Sequence, residues 1–129
     1  MVHVAIMDKE TINKILNGSK TIESRFSKNK ITPYQKVSIG DTIYLKETGK
    51  DIIATFLVDR VVYFDNITPD IMKVIREKYG KFINASDDYW NLKNDTNYGT
   101  LIYIKNPISI KPIKFNKKGR AGFVSKNNI

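Results

Sequence analysis

The sequence contains no cysteine and a single histidine, His3, among its 129 residues. Thiolates and imidazoles are the usual ligands of zinc, and an imidazole is the base of the Ser-His-Asp triad. Disulfides are excluded as well, so the hydrophobic core must stabilise the fold unaided. We therefore expect neither a metal nor a cofactor, and any catalysis would have to use Lys, Glu, Asp, Tyr, Ser or Thr.

Long hydrophobic runs are also missing. The longest apolar stretch, residues 52–58, is interrupted by Thr55 and is far shorter than the ~20 residues that span a bilayer. Residues 1–7 lack the cationic region and the small-residue cleavage site of a secretory signal peptide. The sequence therefore predicts a soluble, cytoplasmic protein without a membrane partner. Its length is typical of one domain over residues 1–129.

Positive charge, by contrast, is abundant. The chain has 22 Lys and Arg against 13 Asp and Glu, a formal net charge of +9. Residues 96–129 contain no acid but seven basic residues: Lys105, Lys111, Lys114, Lys117, Lys118, Arg120 and Lys126. Such a surface attracts phosphate backbones with an affinity that falls as salt rises. A charged surface that merely keeps the protein in solution is the alternative.

Hydrophobic periodicity and capping residues predict an α+β fold. We expect three helices: one capped by Asp8 and running to residue 17, one over residues 69–79 with Ile71, Val74, Ile75 and Lys78 as its stripe, and a short one, capped by Ser86, that contains residues 87–90. Strands are predicted over residues 2–7, 19–26, 42–47, 51–64, 98–105 and 108–115, with a final segment at 119–124. This order favours a mostly antiparallel sheet of about five to six strands, curled into a barrel with the helices at its rim.

The densest polar chemistry lies in residues 18–25, whose sequence is GSKTIESR. On a strand, side chains alternate between faces, so Glu23 and Arg25 share one face and can pair. Lys20 and Glu23 could form an acid-base pair if the surroundings make a neutral amine accessible. The simpler alternative is a Glu23–Arg25 ion pair that braces the barrel, with Lys20 in solvent.

Residues 18–25, together with the helix before them, resemble the ASCH domain family, whose signature is Gly-x-Lys-x-x-Glu-x-Arg. The long apolar strand, the helical residues 88–90, residues 98–100 entering a strand, and a late Gly119-Arg120 before an aromatic residue follow the family's order. The resemblance implies a PUA-like barrel with a cleft lined by the signature residues Lys20, Thr21, Glu23, Ser24 and Arg25. Relatives with this fold bind RNA or modified bases.

The resemblance also implies two enzymatic activities. Some ASCH proteins are similar to amidohydrolases of acetylated cytidine nucleosides, and others to ribonucleases. In the amidohydrolase branch, a lysine at the position of Lys20, a threonine three residues later and a glutamate further on carry the chemistry. Here Glu23 stands in the threonine position, and Glu77 is the best-situated candidate for the later glutamate.

Three aromatic residues are candidates to stack on a base: Tyr89, Trp90 and Tyr98. A lone tryptophan in a small protein usually fills the core, so Trp90 is predicted to be structural. Tyr98 is the better candidate for ligand contact, since the neighbouring Gly99 would let another group approach the backbone closely.

Three functions stay open at this point. The favoured hypothesis is a nucleic-acid-binding protein whose cleft receives one base or nucleotide of RNA while a basic face, including Lys117, Lys118 and Arg120, holds phosphates. The alternative is a metal-independent hydrolase that uses Lys20 with Glu23 or Glu77. The third is a protein-interaction module. The oligomeric state is not predicted.

Overall fold

The structure is a computed structural model that describes residues 1–116 and 119–129. Its elements, in chain order, are β1 (Val2–Ile6), α1 (Lys9–Leu16), β2 (Ile22–Ser27), β3 (Thr42–Lys46), β4 (Ile52–Phe64), α2 (Pro69–Ile83), α3 (Asp87–Lys93), β5 (Tyr98–Ile113) and β6 (Phe123–Lys126). The predicted caps are confirmed: the side chains of Asp8, Thr68 and Ser86 each accept a hydrogen bond from a backbone N–H in the first turn of their helix. Within the described residues, none of the helices is both long and apolar enough to cross a bilayer.

The six strands form one curled sheet in the order β2-β5-β4-β3-β1-β6. β1 and β3 are parallel, and the other neighbouring pairs are antiparallel. Register shifts interrupt the β4–β5 ladder at three places, and such bulges bend a strand and increase its twist. The predicted α+β fold, a mostly antiparallel curled sheet with helices around it, is thereby confirmed.

The sheet has hydrophobic packing on both sides. One cluster lies inside the curl and includes Ile12 and Ile15 of α1, and Phe56 of β4. The other lies between the sheet and the helices α2 and α3, and includes Trp90 and Phe26. Trp90 is thus a core residue, as predicted. Since β2 is packed from both sides, polar side chains on this strand are enclosed by protein.

Helix α2 is longer than the sequence predicts. It continues through Gly80 to Ile83 and ends at Asn84, which adopts a left-handed conformation with φ of 53°. Its predicted stripe is confirmed at Ile75 but wrong at Ile71, Val74 and Lys78, which are exposed. Ile71 and Val74 are 42% and 60% exposed, whereas the buried residues are Met72, Ile75 and Ile83. Apolar residues occupy two faces of this helix, and only tertiary packing selects the face that is buried.

β5 is one continuous strand where two were predicted. Asn106 adopts a positive φ of 50°, and the register with β4 shifts between the Leu57–Lys105 pair and the Thr55–Ile108 pair. Pro107 therefore lies in a bulge, where its missing N–H costs no ladder hydrogen bond. The last strand, β6, also begins later than the predicted segment at residues 119–124.

Candidate ligand-binding cleft

A cleft of about 410 Å³ opens beside β2. Its walls come from three parts of the chain: the end of β1 with the start of α1, strand β2, and the segment from Asn84 through α3. Four residues of the signature stretch, Lys20, Glu23, Ser24 and Arg25, line it. The predicted meeting of Lys20, Glu23 and Arg25 at a concave surface is therefore seen in the structure.

Glu23 lies at the centre of this cleft, with only 5% of its surface exposed. Its Oε1 accepts a hydrogen bond from the Ser24 N–H at 3.0 Å and lies 3.5 Å from Lys20 Nζ. Its Oε2 accepts a hydrogen bond from Arg25 at 3.1 Å. A buried carboxylate is thus held between two cations, and the predicted Glu23–Arg25 pair is confirmed.

The charge of Glu23 follows from these contacts. Burial alone would raise the pKa of this carboxyl group, because a low dielectric disfavours the ionised form. The adjacent charges of Lys20 and Arg25, with the Ser24 hydrogen bond, outweigh burial, so the pKa of Glu23 lies below its ordinary value of 4.5. Glu23 is consequently an anion at neutral pH and acts as a hydrogen-bond acceptor.

Lys20 is buried rather than in solvent, with 5% of its surface exposed. Its Nζ donates a hydrogen bond to the Ile83 carbonyl at 2.6 Å. That carbonyl belongs to the last turn of α2, where the helix dipole favours a cation. Lys20 therefore joins the start of β2 to the end of α2 and compensates Glu23 at the same time.

Arg25 bridges the two edges of the open sheet. Its guanidinium donates to the Ile6 carbonyl at 3.1 Å and to the Gly122 carbonyl at 3.3 Å, and it lies 5.6 Å from the centre of the Phe123 ring. A Cβ atom on Gly122 would come within 3.2 Å of the Arg25 Nη1 atom, so this position suits a residue without a side chain. The side chain of Arg25 is 24% exposed and reaches the cleft.

Two hydroxyl groups form a further part of the wall. Tyr89 donates its hydroxyl proton to the Ser24 carbonyl at 3.2 Å, so the Ser24 hydroxyl donates in turn to the Tyr89 oxygen at 2.7 Å. Burial raises the pKa of Tyr89 far above its usual range, which keeps this phenol neutral and a donor.

Two more lysines complete the cleft. Lys14 donates to the Asn84 carbonyl at 3.1 Å, and Lys93 donates to the Phe26 carbonyl at 3.4 Å. Burial, and after it the positive charge of Arg25, lowers the pKa of Lys93. The lining thus carries four cations, Lys14, Lys20, Arg25 and Lys93, against three acids, Asp8, Glu10 and Glu23.

Other predicted site residues lie elsewhere. Thr21 is exposed and lines a separate cavity of about 460 Å³, whose lining shares no residue with that of the cleft. Glu77 is exposed on α2 and is not part of the cleft lining among the described residues. Arg120 is exposed as well, and Lys117 and Lys118 lie outside the described residues. The structure therefore brings neither Thr21 nor Glu77 to Lys20.

Tyr98 lines a second cavity, of about 180 Å³, that adjoins the cleft. Its ring packs edge-on against Tyr34, with the ring centres 5.2 Å apart. The neighbouring Gly99 does allow a close approach, but the group that uses this space is the Phe26 ring. A Cβ atom on Gly99 would lie 2.7 Å from two atoms of that ring. The close contact at Gly99 is thus a packing contact across the β2–β5 pair.

Sequence reasoning missed Lys14, Asn84 and Lys93. Lys14 and Lys93 lie in the last turns of α1 and α3, where basic residues are expected for the helix dipole alone. Only the folded arrangement shows that both side chains reach the cleft. In the part of the chain that the structure describes, no three His, Cys, Asp or Glu side chains are grouped so as to hold a metal ion.

Comparison with known proteins supports the fold. No family model matches the sequence, and no curated protein matches it. An ASCH protein from Zymomonas mobilis has a similar structure, with a TM-score of 0.74 and 17% identity over 98% of this chain and 88% of that chain. The hypothetical protein PH0355 is also similar, with a TM-score of 0.50 and 19% identity over 84% of this chain and all of that chain.

The chain therefore has the fold of the ASCH protein from Zymomonas mobilis, which among the described residues is a curled sheet with three helices. This confirms the fold that the resemblance of residues 18–25 predicts. At these identities the likeness concerns the fold, and the chemistry of the cleft has to be argued from its own residues.

Proposed function

We propose that this protein binds nucleic acid, and RNA in particular, by receiving a single base or nucleotide in the cleft. The observation that supports this most directly is the ionised Glu23, buried between Lys20 and Arg25 at the centre of the cleft. The cleft volume of about 410 Å³ falls within the range of sites that enclose small ligands.

The polar groups suit a nucleobase. A glutamate carboxylate accepts hydrogen bonds from an exocyclic amino group, such as that of cytosine. Glu23 Oε2 has one partner, Arg25, and a carboxylate oxygen accepts two hydrogen bonds. The hydroxyl pair of Ser24 and Tyr89 offers further contacts to a base edge or a sugar. We therefore expect a base with an exocyclic amino group to bind better than uracil.

The basic surface would supply affinity without sequence preference. Lys105, Lys111, Lys114, Arg120 and Lys126 are exposed and come from the part of the chain that has no acid. Contacts from such residues to phosphates position a strand but do not identify its bases. Specificity would then come from the cleft, and most of the salt dependence from this surface.

Binding of fluorescein-labelled single-stranded RNA, followed by anisotropy over a series of salt concentrations, tests the proposal. We expect affinity to fall linearly on a double logarithmic plot as salt rises. Glu23→Gln and Lys20→Ala should weaken binding without abolishing it, whereas Lys50→Gln, in the exposed β3–β4 hairpin, should leave it nearly unchanged. The same experiment with DNA of equal sequence tests the preference for RNA. Absence of binding at low salt would favour a protein-interaction module.

One observation favours a second candidate function, hydrolysis of a nucleoside or of RNA. Lys20 is a buried amine in a cleft, 3.5 Å from a carboxylate, and such pairs can serve as base or nucleophile. Its Nζ already donates to the Ile83 carbonyl at 2.6 Å and pairs with Glu23 at 3.5 Å, and this engagement favours binding over catalysis. Release of acetate from an acetylated cytidine nucleoside, or cleavage of RNA, lost in Lys20→Ala, would establish the enzyme instead.

A further inference from the structure

The cleft and the second cavity share a wall. Arg25, Phe26 and Lys93 line both of them. The two spaces therefore meet along one ridge, which carries two basic side chains. A ligand long enough to occupy both cavities would pass these side chains.

The two cavities differ in volume, and the difference indicates how much of a ligand each could hold. The cleft, at about 410 Å³, has the volume of a site for a whole small molecule, whereas the second cavity, at about 180 Å³, is smaller than such sites usually are. The second cavity is therefore suited to one part of a ligand whose remainder lies in the cleft.

The second cavity is lined by aromatic rings. Tyr34 and Tyr98 are in edge-to-face contact there, and the Lys30 ammonium lies 5.7 Å from the centre of the Tyr98 ring. The Phe26 ring forms the wall toward the cleft. Aromatic surfaces of this kind stack on nucleobases with little preference among them.

On the ridge between the cavities, Arg25 is paired with Glu23, but Lys93 has no such counterion among the described residues. Lys93 donates to a backbone carbonyl, that of Phe26, and in the described part of the chain no carboxylate forms an ion pair with it. The neighbouring Arg25 is close enough for its positive charge to disfavour the Lys93 ammonium. An anion bound between them would relieve this repulsion.

We infer that the two cavities are adjoining subsites for two consecutive nucleotides of a single strand, with their phosphodiester held by Arg25 and Lys93. This inference rests on the proposed function and specifies its ligand: a phosphodiester-linked strand instead of a free nucleoside. The nucleotide in the cleft would be read by Glu23, and its neighbour would stack against Tyr98.

Calorimetric titration with ligands of increasing length tests the inference. The ligands are a nucleoside, its 3′ and 5′ monophosphates, and a dinucleoside monophosphate with the same base. We expect the monophosphates to bind more tightly than the nucleoside, and the dinucleoside monophosphate to bind a further five- to 150-fold more tightly, roughly the effect of one stacked base. A dinucleoside with an uncharged methylphosphonate linkage should lose most of the gain that comes from the phosphate.

Two variants separate the contribution of the phosphate to affinity from that of the second nucleotide. Lys93→Gln should remove the advantage of the phosphate, whereas Tyr98→Leu should remove the advantage of the second nucleotide and spare the monophosphates. Lys50→Gln, which makes the same change of charge in an exposed hairpin, should do neither. The methylphosphonate ligand uses the unaltered protein, so the test does not depend on whether a variant folds.

The outcomes separate the two proposals. Equal affinity for the monophosphate and the dinucleoside monophosphate would overturn the second subsite and leave the proposed function intact. Equal affinity for the phosphodiester and the methylphosphonate would overturn the phosphate position at Arg25 and Lys93. If neither these ligands nor longer RNA bind at low salt, the proposed function itself is wrong, and this inference is overturned with it.

Discussion

The protein encloses two carboxylates in similar ways, at two places in the sheet. Glu23 accepts hydrogen bonds from Arg25 and from the Ser24 N–H. Asp41 accepts hydrogen bonds from the His3 ring at 2.8 Å and from the Ser38 N–H at 2.9 Å, and it pairs with the N-terminal ammonium of Met1 at 3.3 Å. In both, burial would raise the pKa of the carboxyl group, but the hydrogen bonds and neighbouring groups lower it below its ordinary value.

The two clusters differ in access and in the nature of the cation. Glu23 lines the cleft, whereas His3 is completely buried, and its other ring nitrogen lies 2.8 Å from the Ser125 hydroxyl. Asp41 pairs with the exposed ammonium of Met1, whereas Glu23 pairs with the buried Lys20 and with Arg25. The Asp41 cluster thus has its cation at the surface, while the Glu23 cluster holds enclosed charges beside an open space.

Removal of each carboxylate tests this difference directly. Glu23→Ala leaves the buried Lys20 without its counterion, which should cost about 3–5 kcal/mol of unfolding free energy. Asp41→Ala should cost less, about 1–3 kcal/mol, because it removes hydrogen bonds and leaves without its partner only the Met1 ammonium, which is exposed to water. Urea denaturation of the two variants measures both values.

A double variant is the control for this comparison. In Lys20→Met with Glu23→Leu, both buried charges are replaced by apolar groups of similar size, and such replacements are often close to neutral. Most of the lost stability should therefore return. Equal losses in Glu23→Ala and Asp41→Ala would contradict the distinction between a buried and an exposed counterion.

Acid should destabilise both clusters, starting with Glu23. The folded-state pKa of each carboxyl group is depressed, so each contributes stability above its unfolded pKa and loses it as the pH falls through the folded value. The ordinary values are 4.5 for Glu23 and 3.8 for Asp41, so the decline should begin below about pH 4.5. Between pH 7 and pH 3, the unfolding free energy should fall less steeply in Glu23→Gln than in the unaltered protein. Asp41→Asn should reduce this fall only in the most acidic part of the range.

Local sequence patterns account for much of this architecture. Asp8, Thr68 and Ser86 mark the starts of the helices because a cap is a contact within three or four residues. The alternation along β2 predicts the Glu23–Arg25 pair for the same reason. Contacts of this kind are determined by neighbours in the chain, so a single sequence is sufficient to predict them.

The rest of the cleft depends on distant contacts. The sequence predicts Lys20 for ligand binding, for catalysis or for solvent, but it does not indicate the partner Ile83, which is 63 residues away. Lys93 lines both cavities and Tyr98 lines the second one, and this arrangement depends on the curl that the bulges between β4 and β5 give to the sheet. No local periodicity encodes that curvature, and hence the position of Tyr98 relative to Lys20 could not be derived.

A substitution that disturbs the packing beneath the cleft should have an intermediate effect on stability. Gly99→Ala would place a Cβ atom 2.7 Å from the Phe26 ring, and overpacking of this kind usually costs about 1–3 kcal/mol. Because Phe26 lines both cavities, the variant should also weaken RNA binding while the His3–Asp41 cluster stays intact. Thermal unfolding and RNA anisotropy measure the two effects.

Gly80→Ala is the matched control for that substitution. Its Cβ atom would lie 3.5 Å from the nearest side-chain atom, of Arg76, which is an ordinary contact. Since Gly80 lies inside α2, alanine should stabilise the protein by about 0.5–1 kcal/mol through helix propensity. A similar loss in both variants would show that the tight contact with Phe26 is not the cause.

The smallest loss of stability is expected when a single hydroxyl group is removed beside each cluster. Tyr89→Phe removes the partner of the Ser24 hydroxyl and a donor to the Ser24 carbonyl, but both residues line the open cleft, so the cost should be about 0.5–1 kcal/mol, in the lower part of the range for hydrogen bonds. Ser125→Ala removes the partner of a ring nitrogen of the fully buried His3, so the cost should be about 1.5 kcal/mol or more. RNA affinity should change in the reverse order, because only Tyr89 borders the proposed site. The variant with the larger loss of stability should therefore show the smaller loss of RNA affinity. If one variant shows the larger loss in both measurements, the cleft is no more functional than the Asp41 cluster.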